Sequence, residues 1–329
     1  MQPIRIGILG AARIAPKAAV LPARDNPEFE VRAVAARDKE RSRAFAAENG
    51  IPAVADDYAA LVARDDIDLV YVALPTNGHM KWSVAALKAG KAVLCEKPFA
   101  INAGQALIMA ANVSAAGRPL IEAFHNRFHA VMRRAIEIAA SGELGRLVDA
   151  EAVFDVLIPY TPTELRWSPV LGGGGALMDL GCYCVHALRT IIGTEPKVVH
   201  AECTIERGVD VATSAELSFP DGLRGKLRTS MTKPFSATFK LKGEKGSFSI
   251  SNFLAPQNGC TFVVEAGGRK REEPTEGPST YDAQLAHVGD VLLRGAEPLT
   301  GGAAAIANME CIDAIYAAGG YERAVEVRQ

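Results

Sequence analysis

The opening of the chain restricts its fold more than any other feature. Residues 4–9 form a short apolar run of strand character, and Gly7-Ile-Leu-Gly10-Ala-Ala12-Arg-Ile-Ala15 leads straight from it into an Ala-rich stretch of helical period. A strand, a tight glycine turn and a helix in so few residues begin a strand–helix–strand unit, whose strands run parallel. The rhythm continues. Further β-rich runs at 31–35, 69–74 and 92–94 alternate with helical segments at 14–23, 39–49, 58–63, 80–89 and 103–116, with Gly50, Gly90 and Gly117 at junctions. Such alternation predicts a parallel sheet covered by helices. Leu69-Val-Tyr-Val-Ala-Leu74 is apolar throughout, as a strand buried on both faces should be.

Beyond about residue 124 the pattern changes. A helical segment at 130–140 ends at Ser141-Gly142, and a strand follows at 148–157. A glycine run at 172–175 enters an apolar helical stretch at 176–192. From 196 to about 264 the chain reads as consecutive strands. The run 216–219 turns at Pro220-Asp-Gly222 into 224–231, and 237–242 turns at Gly243-Glu-Lys-Gly246 into 247–250. Hairpin spacing of this kind predicts an antiparallel sheet. Helical stretches at 281–293 and 303–317 close the chain. With 329 residues, the chain is longer than single cores usually grow, so two domains are expected: an α/β doubly wound domain at 1–123 and an α+β domain at 124–329.

The charge balance excludes some partners. Lys and Arg number 36 against 38 Asp and Glu, for a net charge of −2, which leaves no electrostatic footprint for nucleic acid or an anionic membrane. No run approaches 18 apolar residues, and Met-Gln-Pro-Ile-Arg-Ile-Gly lacks the pattern of a signal peptide, so a cytoplasmic location is expected. The six cysteines are scattered and read as reduced thiols; Cys182 and Cys184 are too close for a CxxC ligand pair. No His, Asp or Glu cluster has metal spacing, so no metal is expected.

The glycine turn carries chemistry. In the dinucleotide pattern G-x-G-x-x-G/A the key positions fall on Gly10, Ala12 and Ala15, with Ala replacing the central Gly. Gly10 allows the turn, a small residue at 12 lets the backbone approach a pyrophosphate, and Ala15 lets the helix pack on the strand. Ala11, Ala12, Arg13 and Ile14 thus form the phosphate-facing segment at a helix N-terminus. This is a Rossmann reading of 1–123. About 20 residues on, NAD-binding sheets carry an acidic residue for the ribose 2′-hydroxyl. Here the second strand ends Ala35-Ala36-Arg37-Asp38. Arg37, with Arg41 one turn later, suits a 2′-phosphate, so NADP(H) is expected ahead of NAD(H), with Asp38 on a ribose hydroxyl as the alternative. A solvated charged helix start also fits these residues.

Two further signals follow. Ala92-Val-Leu-Cys-Glu96-Lys97-Pro98 ends a strand, where open α/β sheets line their ligand crevice. Leu74 and Pro75-Thr76-Asn77-Gly-His79 close the preceding strand and should lie along the cofactor, unless His79 caps the next helix. Asp179 and Tyr183 are four apart in an apolar helical stretch, which places them on one face. A Tyr hydroxyl beside a Lys ammonium suits acid/base exchange at a carbonyl–alcohol pair.

These motifs resemble the glucose–fructose oxidoreductase / inositol dehydrogenase / MocA family. The resemblance covers nearly the whole chain and rests on Gly7-Ile-Leu-Gly10, Pro75-x-x-x-His79, Val93-Leu-Cys-Glu-Lys-Pro98, Glu122-Ala-Phe-His-x-Arg127, Gly142-x-x-Gly145, Gly175-Ala-Leu-Met-Asp-Leu-Gly181 with Tyr183, and Lys242-Gly243-x-x-Gly246. Tyr183, where many members carry His, and Ala35-Ala-Arg-Asp38 look like NADP-dependent dihydrodiol dehydrogenases and sugar ketoreductases. Ala130 departs from the Pro common after His129. The resemblance implies a Rossmann domain, then a C-terminal domain whose large, mostly antiparallel open sheet binds substrate on one side and forms a homodimer or homotetramer. It implies Lys97, Asp179 and Tyr183 as the catalytic group.

The expected reaction is hydride transfer between the nicotinamide of NADP(H) and a secondary alcohol or ketone of a sugar, cyclitol or dihydrodiol. Tyr183 exchanges the proton, Lys97 holds the substrate oxygen, and Asp179 orients the substrate or Lys97. Among His125, Asn126, Arg127 and His129, Arg127 suits a polar substrate best, with His125 beside it. Trp167 covers a ring or merely packs. His186 is a second proton carrier or a satisfied helix histidine. These polar candidates favour a polyhydroxylated ligand. Two other classes share the motifs: enzymes without net redox that keep their nucleotide, such as NAD-dependent glycosidases or aldose–ketose types, and non-catalytic dinucleotide sensors.

Overall fold

The computed structural model describes residues 2–171 and 174–323. Strands β1 (Ile4–Leu9), β2 (Phe29–Ala35), β3 (Ala53–Val54), β4 (Leu69–Val72), β5 (Ala92–Cys95) and β6 (Leu120–Glu122) form one parallel sheet in the order β3-β2-β1-β4-β5-β6. The strand order reverses between β1 and β4, and such a switch point opens a crevice at the carboxyl ends of the strands. Between the strands lie α1 (Leu21–Asp25, continuing a π turn at Pro16–Val20), α2 (Lys39–Asn49), α3 (Tyr58–Val62), α4 (His79–Lys88) and α5 (Ala103–Ala116). Asp38, Asp57 and Asn102 cap α2, α3 and α5, each accepting a backbone N–H from the first turn.

The core of this unit joins Ile4, Ile6 and Ile8 of β1 to Val34, Leu69, Tyr71, Leu94 and Ile121 on neighbouring strands. It also takes Leu285 and Val288 from the helix Thr280–Arg294, far along the chain. Arg294 at the end of that helix pairs with Glu28 at 2.6 Å. The chain accordingly divides into one unit holding 2–124 and 281–306 and another holding 125–280 and 307–323, counting described residues. The expected single cut between 123 and 124 thus differs from the compact units. The helix Thr280–Arg294 buries its apolar stripe in the first unit, a destination its own periodicity does not state.

The second unit is built on β7 (Leu147–Asp155), β8 (Lys197–Glu206), β9 (Val209–Ser218), β10 (Arg224–Ser230), β11 (Ser236–Gly243), β12 (Gly246–Ile250), β13 (Phe262–Ala266) and β14 (Arg269–Glu272). Their order is β14-β13-β12-β11-β7-β10-β9-β8. Every neighbouring pair is antiparallel except β7 with β10. Along β10 and β11 buried residues alternate with exposed ones, so Leu227, Phe239 and Leu241 point into the core while Lys226 and Lys240 face outward. The outer face is charged, with pairs such as Lys240–Glu151 at 3.4 Å. The helices α6 (Ala130–Ala140) and α7 (Cys182–Ile192) belong here, and α8 (Thr280–Arg294) and α9 (Gly302–Ala318) end the chain.

Candidate active site

In the first unit the glycine turn has the shape that the motif needs. Gly10 has φ +102°, and a Cβ there would run into the carbonyl oxygen of Ala73, so only glycine fits where the turn crosses the end of β4. Its N–H donates to Ala35 O at 2.8 Å, tying the turn to β2. Among the described residues the N–H groups of Ala11 and Ala12 have no acceptor in the chain, and Ala12 and Ile14 are half-exposed. These donors at a helical start fit a pyrophosphate. Arg13 is exposed.

At the end of β2 the two arginines separate. Arg41 donates from Nη2 to Ala11 O at 2.7 Å, which ties it to the glycine turn while the residue stays exposed. Arg37 is exposed and makes no ion pair among the described residues. Asp38 spends its Oδ1 on the Arg41 N–H at 3.0 Å as the cap of α2.

Lys97 follows β5, half-exposed, and is joined to Pro98 by a cis bond. Neighbouring Glu96 accepts from the buried Tyr71 hydroxyl at 2.5 Å, which locks β5 to β4. Tyr281 stands in the field of Glu96, and burial foremost, then that charge, push its hydroxyl well above the ordinary value. Leu74, Pro75 and Asn77 are half-buried and Thr76 is buried. His79 is wholly buried. Its ring nitrogens lie 2.9 Å from Leu74 O and 3.0 Å from Pro98 O, and burial lowers its pKa. With one N–H on the neutral ring it donates to one of these carbonyls, packed between the β4 loop and the Lys97-Pro98 loop, and it does not present itself to a ligand.

In the second unit, Gly172 and Gly173 of the glycine run lie outside the described residues. Gly175 has φ +118° and no room for a Cβ, which would strike the Asp210 carboxylate. A π turn at Leu177–Gly181 then leads into α7, with Cys182 N–H reaching back to Leu177 O. Asp179 lies in the widened turn and Tyr183 one step into the α-helix. Widened turns of this kind recur at functional sites. The Asp179 carboxylate is held by Arg166, Nε to Oδ2 at 2.6 Å, and Arg166 also bonds Glu164 at 3.1 Å. The two carboxylates raise the pKa of the Arg166 guanidinium, Asp179 most. Tyr183 is 6% exposed, and its ring meets His125 and Phe154 edge-on, with centroids 5.7 and 5.8 Å away. Exposed Phe235 packs edge-on against Phe154 at 6.4 Å.

The other expected residues divide. His125 is fixed by Thr280, Nδ1 to Oγ1 at 2.8 Å, which holds its ring on Tyr183. Arg127 is half-buried without an acidic partner among the described residues, and burial and the charge of Arg133 lower its pKa. That is a cation suited to a polar ligand. Asn126 is buried with neither amide atom bonded. Trp167 is buried and donates its indole N–H to Ile158 O at 2.9 Å, a packing role. His186 is buried inside α7, 3.5 Å from Thr190 Oγ1, with its pKa well below the ordinary value through burial, Arg189 and Arg127. Its burial inside α7 and its approach to Thr190 are those of a helix histidine. Sequence reasoning missed Arg166, Phe154, Phe235 and Asp210; only Arg166, beside Trp167, stood near a motif. Among the described residues no group of three or more His, Cys, Asp or Glu is placed to hold a metal, and no helix is long and apolar enough to cross a membrane.

Residues 4–124 match the family model described as an oxidoreductase family with an NAD-binding Rossmann fold, and residues 132–249 match the GFO/IDH/MocA C-terminal domain. The chain belongs to the GFO/IDH/MocA oxidoreductases. It is a dehydrogenase or reductase with an NAD(P)-binding Rossmann unit. Within that family it is 34% identical over 325 residues to a D-xylose 1-dehydrogenase (NADP(+)) of Haloferax volcanii, covering 98% of this chain and 99% of the relative. It is 35% identical over 274 residues to a trans-1,2-dihydrobenzene-1,2-diol dehydrogenase of Mus musculus, covering 82% and 80%. The crystal structure of an aldose–aldose oxidoreductase from Caulobacter crescentus, complexed with glycerol, superposes with a TM-score of 0.89 at 28% identity, over 97% of this chain and 98% of that one.

Proposed function

We propose that this GFO/IDH/MocA enzyme is an NADP(H)-dependent oxidoreductase of a secondary alcohol or ketone on a polyhydroxylated ring. The nicotinamide supplies hydride-accepting or hydride-donating chemistry at the ring carbon. The chain does the rest. Ala11 and Ala12, at the turn that Gly10 makes, cradle the pyrophosphate with backbone N–H groups, and Arg37 pairs with the 2′-phosphate. Tyr183 moves the hydroxyl proton, Lys97 holds the reacting oxygen, and Asp179 orients the substrate hydroxyls. Arg127 and His125 bind the remainder of the ligand. The charged outer face of the large sheet serves to join two copies of the chain.

One observation carries the cofactor reading. The acidic side chain that usually meets a ribose 2′-hydroxyl is engaged as a helix cap, while Arg37 beside it is exposed without an ionic partner among the described residues. The ring of the substrate is supported by Phe154 and Phe235 near Tyr183, since a ring with one C–H face packs on aromatic side chains. The same aromatic pair favours a second substrate reading, a cyclic dihydrodiol.

The test is titration of purified protein with NADPH and NADH by nicotinamide fluorescence, after its spectrum has been checked for nucleotide carried through purification. Turnover is then followed on pentoses, hexoses, cyclitols and trans-dihydrodiols. Tighter NADPH binding with turnover of a pentose or hexose supports the reading. Equal or tighter NADH binding overturns the role of Arg37. A nucleotide that never leaves, with no net reduction, assigns the chain to the aldose–ketose or glycosidase type.

A further inference from the structure

Asp210, the second residue of β9, is a completely buried carboxylate that the proposed chemistry leaves unused. Its Oδ2 accepts from Leu177 N–H and from Thr213 Oγ1, both at 2.8 Å, and its Oδ1 accepts from the Tyr316 hydroxyl of α9 at 2.8 Å. The Cα of Gly175 closes against the same oxygen so tightly that no Cβ fits between them. Gly175 is itself a junction. Its N–H donates to Arg166 O at 3.0 Å, and its carbonyl accepts from Asp179 N–H at 3.1 Å. One carboxylate therefore touches the turn at residues 175 and 177. Through Gly175 it is one hydrogen bond away from both members of the Arg166–Asp179 ion pair.

We propose that Asp210 is a positioning residue for the reacting pair: by gripping Leu177 and Gly175 it sets where Asp179 and Tyr183 stand on the π turn and α7. This rests on the reading of Asp179 and Tyr183 as the groups that meet the substrate. Burying a carboxylate is costly unless every oxygen is satisfied, and here three donors converge on it, one of them the first N–H of the π turn. An ordinary cap would satisfy one N–H. A three-donor grip from β9, α9 and the turn itself fixes position as well, and fixed position is what a reacting group needs, since a shift of about 1 Å costs on the order of 100-fold in rate. The neighbours are charged or titratable on several sides. Cys203 lies on β8, Tyr316 on α9 and Tyr321 after it, with Arg323 stacked on Tyr316.

The experiment compares Asp210→Ala, Asp210→Asn and Tyr316→Phe with the parent enzyme. The readouts are kcat per folded molecule, the NADPH dissociation constant, the isotope effect from C4-deuterated cofactor, and hydrogen exchange of amides 175–183. Asp210→Ala should lower kcat about 10–100-fold, raise the isotope effect and speed exchange at Leu177, while NADPH affinity stays put. Asp210→Asn should recover most of the rate, because its carbonyl keeps Leu177 and Thr213 while its amide donates to the Tyr316 oxygen. Tyr316→Phe removes one donor and should give a smaller loss; it carries the test if the Ala variant does not fold. Faster exchange with parental kcat and isotope effect overturns the proposal, as does unchanged exchange at 175–183. If the parent enzyme turns over no polyol, the functional reading fails by itself, and the exchange data alone judge the grip of Asp210.

Discussion

His79 and Asp210 do similar work in the two units by different routes. Each is a fully buried polar side chain that pins a functional segment through main-chain groups. His79 reaches carbonyls 5 and 19 residues away, at the ends of two successive strands of one strand–helix–strand unit. Asp210 reaches an N–H 33 residues away and a hydroxyl 106 residues away. The first unit is thus organised by near neighbours, as repeated strand–helix units are, and the second by contacts that only the folded sheet creates.

The variants that test this contrast can be ranked by expected effect. Tyr183→Phe should lower kcat about 10²–10⁴-fold with nucleotide affinity unchanged, measured by steady-state turnover and fluorescence titration. Near-parental turnover would remove Tyr183 from the chemistry and leave the second unit without a proton carrier.

Next comes the pH dependence of stability. Burial raises the Asp210 carboxyl from 3.8 to about 6, against the hydrogen bonds that pull it down. The folded chain then holds this proton more tightly than the unfolded chain does. The stabilisation is complete below about pH 4 and is lost as pH climbs through 6, about 3 kcal/mol in all. Asp210→Asn carries no such titration. Its stability relative to the parent, read from urea unfolding, should therefore rise by about 3 kcal/mol between pH 4 and 7; a flat difference would mean that Asp210 titrates normally.

Arg37→Ala should cut the preference for NADPH over NADH about tenfold, the worth of one charge-assisted contact of about 1.4 kcal/mol, by comparative titration. An unchanged ratio moves the 2′-phosphate elsewhere. The smallest effect is that of Asp38→Ala. It should cost about 1 kcal/mol in unfolding experiments through loss of the α2 cap and leave the nucleotide ratio alone. A changed ratio would return Asp38 to the ribose.

The contrast also explains what was legible in the chain. The glycine turn, the parallel sheet of the first unit and the bounds of most helices follow from local period and junction residues, and Asp179 and Tyr183 were visible as a spaced pair. The π turn beneath them was not, because residues four apart look alike whether the turn is widened or regular. The partner of Asp179 was hidden for a similar reason. Arg166 lies 13 residues upstream across the glycine run, a separation that no periodicity governs. Arg41 looked like a companion of Arg37, yet its Nη2 is engaged by Ala11 O of the glycine turn. Phe154 reaches Tyr183, and Phe235 reaches Phe154, only because the second unit's fold brings them together. His186 and Trp167 kept their polar edges inside the fold, which their types alone did not reveal.

The return of α8 to the first unit bears on how such a protein can be recombined. Leu285 and Val288 complete a core begun by β1 and β2, so the first unit is encoded in two pieces, and the second unit takes the stretch between them together with the chain from 307 on. A chimaera joined once, after residue 124, would pair a borrowed α8 with this chain's β-sheet and carry a seam through that core. A graft that keeps 281–306 with 2–124 would place its junctions outside it.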